Sequence, residues 1–437
     1  MINLDPSIIA ILGVLVFILL LLMGVSIGIA MAIVGFAGIV VLKGFTIALA
    51  TLFIIPYSST ASWLLSVIPM FILMGSIAFH CGFTRDAYNT AYRWVGRFPA
   101  GLAVATLIGA AAFGACSGSS VAATAALGKL ALPEMIKYGY NKKLAAGVVA
   151  MGGTLAALIP PSILMVIYGI VTEVDIGKLL IAGILPGVLS MALFALLAVV
   201  WASFRPGDAP RGEKFSSKEK IVSLPKMSGI LVLFLIVAGG ILSGLFTPTE
   251  AGAVGAFVIL IMAIMIRRFN WGIFKEVIFE SLRVVSSIFL ILVGAYIFIQ
   301  FVALSRAPVV FAEWVAGFHF HRIIIIVGII IVYLILGCFI DALGMILLTV
   351  PFISPTIFAL GFDPIWFGVM VVKLVEIGAL TPPVGIQSYV LKGVAPEIPL
   401  RDIFLGFVPF IIVDILLFMG LIIAFPQIAT FLPSLMG

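Results

Sequence analysis

The chain has 437 residues, 64% of them hydrophobic and only 10% charged, whereas an ordinary soluble domain carries about 25% charged residues. This composition, with a mean hydropathy of +1.36, excludes a soluble globular protein. The net charge of +6 does not mark a nucleic-acid ligand, because the Lys and Arg residues fall in short breaks between apolar runs, where they orient membrane helices.

Apolar runs long enough to cross roughly 30 Å of hydrocarbon, at about 20 residues per crossing, predict spans at 7–23, 25–42, 64–82, 102–135, 144–171, 179–203, 227–245, 249–266, 286–304, 323–360, 365–391 and 403–425. The first follows Asp5 rather than a basic segment and lacks a small-residue cleavage site, so it is expected to remain as a helix. Two runs, 102–135 and 323–360, are too long for one crossing. Each is interrupted midway, by Cys116-Ser117-Gly118-Ser119-Ser120 and by Asp341-Ala342-Leu343-Gly344, so each is expected to turn back as a re-entrant hairpin.

With the N-terminus outside and every other run crossing once, eighteen basic residues fall inside, among them Arg85, Arg97, Lys142, Arg205, Arg267 and Arg401. Four are left outside: Lys43, Lys178, Arg306 and Arg322. That asymmetry is the one the positive-inside rule requires. It places both termini outside, the first hairpin entering from the inside and the second from the outside.

The sequence repeats once, at a separation of about 220 residues. Gly153, Ile159-Pro160-Pro161, Gly169, Glu173 and Pro186 recur as Gly378, Thr381-Pro382-Pro383, Gly393, Glu397 and Pro409, while Gly75 and Gly114 answer to Gly294 and Gly337. The expected fold is therefore an all-α polytopic membrane protein with an inverted-topology repeat, two re-entrant helical hairpins and broken transmembrane helices. The first repeat covers 1–204, with an arm helix near 85–99, a hairpin near 102–135 and a broken helix near 144–171. A flexible cytoplasmic linker is expected at 205–226. The second repeat covers 227–437, with an arm near 306–322, a hairpin near 323–360 and a broken helix near 365–391.

Unwound backbone at membrane depth persists only where it is buried in protein or lines a cavity, because each unpaired amide or carbonyl there costs several kcal/mol. Glycine permits the unwinding, and proline removes an amide donor. The Gly153 and Pro160-Pro161 break and the Gly378 and Pro382-Pro383 break thus expose carbonyl oxygens suited to a small hard cation. Hydroxyls of Ser117, Ser119, Ser120, Thr154 and Thr381 and the Asp341 carboxylate add further oxygens, and half-helix N-termini offer N–H groups to an anion. One anion flanked by two sodium sites fits these pieces, although close packing of small residues also fits any single break. Asp341, costly in a membrane, is either an ion or substrate ligand or a hydrogen-bonded structural residue. Lys373 and Glu376 lie three apart on one helix and most simply pair with each other; the alternative has Glu376 facing the second ion site.

Cys81, Cys116 and Cys338 have neither CxxC spacing nor a disulfide framework and read as packing residues. An intramembrane hydrolase would need a base beside Ser117, but the histidines, His80, His319 and His321, lie at a span edge and in an outside segment. No HExxH, P-loop or GxGxxG pattern stands in its proper context either. An enzyme is not expected.

The chain resembles the large membrane subunit of the tripartite ATP-independent periplasmic (TRAP) transporters over essentially its whole length. The resemblance rests on Phe113-Gly114-Ala115-Cys116-Ser117-Gly118-Ser119-Ser120, Gly152-Gly153-Thr154 with Ile159-Pro160-Pro161-Ser162, Phe246-Thr247-Pro248-Thr249-Glu250-Ala251, and Glu376-Ile377-Gly378 with Leu380-Thr381-Pro382-Pro383. It implies an elevator-type transporter of a bacterial inner membrane, importing a carboxylate such as sialic acid or a C4-dicarboxylate with Na+ as coupling ion. It also implies two partners, a separate small four-helix membrane subunit and a periplasmic substrate-binding protein. Carried over by position, one sodium site would use Ser117, Ser119, Ser120, Gly153 and Pro160, and the other Asp341, Gly344, Gly378 and Thr381. Substrate contacts are expected at Ser119, Ser120, Thr154, Asp341 and Gly344. A symporter of the same superfamily that needs no binding protein is the alternative.

Overall fold

The computed structural model describes residues 5–317, 322–382 and 385–436. His319, His321 and Pro383 lie outside them. The described chain is helical, with no strand, and seven of its helical stretches are long and apolar enough to cross a membrane by length and composition.

The first helices are α1 (Pro6–Leu22), α2 (Ile27–Lys43), α3 (Phe45–Thr60) and α4 (Val67–His80). Asp5 caps α1, its carboxylate accepting from the Ser7 amide at 2.8 Å. The apolar helix α3 was not among the expected spans. Pro56 and the Ser58-Ser59-Thr60 end shorten its apolar run, yet these hydroxyls bond back to carbonyls of their own helix and so cost little. The amphipathic α5 (Phe83–Val95) fills the place of the first arm and packs against α6 (Gly101–Ser117). Then come α7 (Ser120–Leu130), α8 (Leu132–Lys137), α9 (Lys142–Thr154), α10 (Ile163–Thr172), α11 (Ile176–Ala182) and α12 (Ile184–Phe204).

The stretch 205–226, expected as a flexible linker, is helical over its second part, because α13 (Ser217–Leu242) starts inside it on a Ser216/Glu219 capping box. Its first part is tethered. Asp208 accepts from the Trp201 indole at 2.9 Å and from the Asn141 amide at 3.0 Å, Gly212 donates to the Gly96 carbonyl, and Phe215 packs edge-on against Tyr92.

Helix α14 (Pro248–Met265) opens on a second capping box, Thr247 with Glu250. The expected span at 286–304 is only the end of α15 (Trp271–Ser305), a helix of 35 residues. It packs along α2 so closely that a Cβ on Gly35 would stand 2.8 Å from the Ile297 backbone, the small-residue contact typical of membrane helices. The chain continues through α16 (Ala307–Gly317), α17 (Arg322–Gly337), α18 (Ala342–Ala359), α19 (Pro364–Gly378), α20 (Ile386–Val394) and α21 (Leu400–Val413), which runs on into a π-helical segment at Asp414–Met419. The outward side chains are apolar, with Phe53 76% and Leu416 68% exposed, a surface that suits hydrocarbon rather than water.

Candidate functional site

Among the described residues the helices are interrupted at all four expected places: Gly118-Ser119 between α6 and α7, residues 155–162 between α9 and α10, 338–341 between α17 and α18, and 379–382 after α19. Gly118 takes the left-handed conformation, φ +62°, and its position faces the Pro161 carbonyl so closely that no Cβ would fit. Ser119 caps α7 and accepts from the Ala122 amide at 3.4 Å. The Gly118 carbonyl accepts from the Ile163 amide at 3.4 Å, and a Cβ on Gly153 would collide with Thr124 Oγ1 and come 3.0 Å from the Ser120 carbonyl. The structure thereby brings the 117–120 turn onto the 153–163 break, gathering Ser117, Ser119, Ser120, Gly153 and Pro160 into one region. Thr154 does not present its proton there, since its hydroxyl donates to the Met151 carbonyl of its own helix at 2.7 Å.

In the second half the last residue of α17 lies against the last residue of α19, the glycine pair Gly337 and Gly378. Thr381 donates to the Ile377 carbonyl at 2.9 Å. Asp341 is the N-cap of α18 and accepts from the Gly344 amide at 3.1 Å. That is the hydrogen-bonded structural role weighed for it above, and no hydrogen bond joins it to Thr381 among the described residues. Gly344 sits under Asp341 and against Ile27 at the start of α2.

Two polar centres adjoin the first break. One is a cavity of about 120 Å³ between α4, α15 and the tip, lined by Ser76, Ser117, Ser119, Lys129 and Glu280. Its Glu280 wall is held by the Ser76 hydroxyl at 2.9 Å and by His80 Nε2 at 2.7 Å, and His80 Nδ1 lies 3.2 Å from Glu276. The other centre is buried and joins the halves. Ser120 donates to Glu376 Oε1 at 2.8 Å, Gln387 donates to Glu376 Oε2 at 2.7 Å, and Thr124 donates to Gln387 Oε1 at 3.3 Å.

The expected Lys373–Glu376 pair does not form. Lys373, fully buried, lies 2.8 Å from Asp414 Oδ2, donates to Ser190 at 2.8 Å and sits over the rings of Phe194 and Phe418. Glu376 is left with two neutral donors and no cation within 4.0 Å among the described residues. Thr124, Gln387, Ser190 and Asp414 were not identified from the sequence. Asp414 carries the signal that singled out Asp341, an ionisable residue within an apolar run. Thr124 and Gln387 carry none. No three His, Cys, Asp or Glu side chains gather as a metal-binding group among the described residues, so the oxygens on offer at the breaks are hydroxyls, carbonyls and single carboxylates.

Three comparisons bear on this arrangement. The chain is 34% identical over 382 residues to the C4-dicarboxylate TRAP transporter large permease protein DctM of Pseudomonas aeruginosa, covering 87% of this chain and 88% of that one. It is 32% identical over 372 residues to the sialic acid TRAP transporter large permease protein SiaM of Vibrio cholerae, covering 85% and 86%. The YdaH transporter of Alcanivorax borkumensis shares its fold, with a TM-score of 0.60 over 99% of this chain and 98% of that one at 13% identity. DctM and SiaM are transport permeases and not enzymes. With residues 14–428 matching the model of the tripartite ATP-independent periplasmic transporter DctM component, the chain is a multi-pass membrane protein that belongs to that family.

Proposed function

We propose that the chain is the large transport subunit of a sodium-driven importer of an organic anion in a bacterial inner membrane. The anion is a carboxylate of the C4-dicarboxylate or sialic-acid class, the cargoes named for the relatives above. It is delivered by a periplasmic binding protein, and a separate small membrane subunit completes the scaffold.

The observation that carries this reading is the buried contact of Ser120 with Glu376, which links a break of the first half to the helix that ends in a break of the second. Helix breaks that meet near midplane are where secondary transporters hold ions and substrate. Sodium suits the oxygens around Ser117, Ser119, Ser120, Gly153 and Pro160, and a second ion those around Asp341, Gly344, Gly378 and Thr381. The carboxylate is assigned to Ser119, Ser120, Asp341 and Gly344. In this reading α6–α7 and α17–α18 are re-entrant hairpins of a transport domain that slides, elevator fashion, against a scaffold containing α1, α2, α4 and α15. Two sodium ions moving with a monovalent anion down a tenfold gradient would supply about 1.4 kcal/mol each, and 100 mV would add about 2.3 kcal/mol for the net charge.

The topology is inside-basic. Counting α3 as a crossing puts the N-terminus inside, opposite to the count without it. Lys43 then joins the inside residues, and the C-terminus stays outside.

The test is uptake of labelled succinate and of labelled sialic acid into proteoliposomes holding this chain and its small partner, with and without the binding protein and an inward sodium gradient. Uptake that needs both is the expected result. Uptake driven equally well without sodium overturns the coupling.

A further inference from the structure

An apolar groove of about 780 Å³ runs between α1, α16 and the α17–α18 pair, walled by residues such as Ile11, Leu15, Val310, Val332 and Phe352. Helix interiors and interfaces are close-packed, and an apolar space of this size stays dry. In a membrane the available filler is hydrocarbon.

The groove has a polar end. Tyr333 and Thr349 meet hydroxyl to hydroxyl at 2.6 Å across the short connection 338–341, and Thr356, two turns further along α18, lines the groove together with Ile324 and Ile325 near the Arg322 end of α17. Thr356 is 5% exposed, and its hydroxyl has no hydrogen-bond partner among the described residues. A buried hydroxyl left so is costly. Arg322 is exposed and lies one turn before the groove-lining Ile325, on the same face of α17. It is also one of the few basic residues that the inside-basic topology leaves outside.

We propose that this groove is a glycerophospholipid site. An acyl chain lies along α1 and α17, the Thr356 hydroxyl donates to an ester carbonyl of the glycerol backbone, and Arg322 binds the phosphate. If α17–α18 belongs to the sliding domain, as proposed above, the lipid lubricates its path past α1. The binding site itself does not depend on that reading.

Gly328 provides the test, because a Cβ added there meets no atom within 4 Å although the residue lines the groove. Gly328→Phe therefore fills the space without displacing the fold. The full chain, delipidated in mild detergent, is titrated with palmitoyl-oleoyl phosphatidylglycerol and read by native mass spectrometry, with thermal unfolding followed in parallel. One tightly retained lipid is expected for the wild type. Retention should weaken roughly tenfold or more in Gly328→Phe and in Arg322→Gln, and by a smaller factor in Thr356→Val. Wild-type retention in Gly328→Phe or in Arg322→Gln overturns the site. Displacement of the lipid by glycerol phosphate alone also overturns it, since the groove would then contribute nothing.

Discussion

Ser120 Oγ and Glu376 Oε1, 256 positions apart in the chain, are 2.8 Å apart in the fold. The contact places a carboxylate at the start of α7, where the helix dipole favours negative charge. Since Lys373 is committed to Asp414, Glu376 has only neutral hydrogen-bond donors, and a cation entering the first break at Ser120 would find its carboxylate within reach of that hydroxyl. Glu376→Gln keeps the hydrogen-bonding shape and removes the charge. It should cut sodium-driven uptake about tenfold or more and raise the sodium concentration for half-maximal uptake, while thermal unfolding moves by no more than about 1 kcal/mol. A sodium titration that superimposes on the wild type would remove Glu376 from the coupling machinery.

The ion pair of Lys373 and Asp414 calls for a different expectation, because both residues are fully buried. Taking one partner away strands the other, at about 3–5 kcal/mol, whereas replacing both with apolar side chains is often neutral. Lys373→Met alone should therefore unfold at markedly lower temperature in detergent, and Lys373→Met with Asp414→Leu should recover most of the loss. A double variant as unstable as the single one would mean that Ser190 and the Phe194 and Phe418 rings, rather than the pairing, hold this part of α19.

The breaks were legible in the sequence because glycine and proline announce them locally, and they lie where the Gly118, Pro160-Pro161, Asp341 and Gly378 motifs stand. What was not legible is tertiary. The spacing of Lys373 and Glu376 describes one helix, and its i to i+3 geometry suggests a pair; yet α12 and the π-helical segment bring Ser190 and Asp414 to the lysine, and α7 and α20 bring Ser120 and Gln387 to the glutamate. Polar residues inside apolar runs do not say which face they occupy. Helix α3 escaped for a local reason, since hydroxyls that bond back to their own helix look polar to a hydropathy window while costing a membrane helix little.

Ser119 and Thr381 sit at the two breaks with their hydroxyl oxygens still able to accept. Replacing either by Val should weaken the sodium dependence of uptake and leave membrane insertion intact. Insertion is checked by extraction and gel filtration, and coupling by sodium titration in proteoliposomes. Unchanged titrations in both variants would strike these residues from the site.

Asp208 gives an acid-sensitive signature outside the spans. The Trp201 indole N–H, with the Asn141 amide, holds its carboxyl below the ordinary carboxylate range. A depressed carboxylate contributes stability above its unfolded value of about 3.9, and that contribution is lost as pH falls through the folded value. Limited proteolysis at 205–216 should be slow at pH 7, rise for Asp208→Ala at the same pH, and rise in the wild type only below about pH 4. Equal cleavage of variant and wild type at pH 7 would mean that Phe215 and the Gly212 contact tether the segment without Asp208.

Asp341 separates a structural from a ligand role most sharply, because its geometry already explains its presence. As N-cap of α18 it accepts from Gly344, and Asn caps about as well as Asp while Ala costs about 1 kcal/mol. Asp341→Asn therefore preserves the cap and removes only the charge. If the carboxylate is an ion ligand, as proposed, Asp341→Asn should unfold like the wild type yet lose sodium dependence, whereas Asp341→Ala should lose both sodium dependence and stability. If it is a cap alone, Asp341→Asn should transport as the wild type does, and the second sodium site would then have to be built from the Gly378 and Thr381 oxygens without a charged ligand.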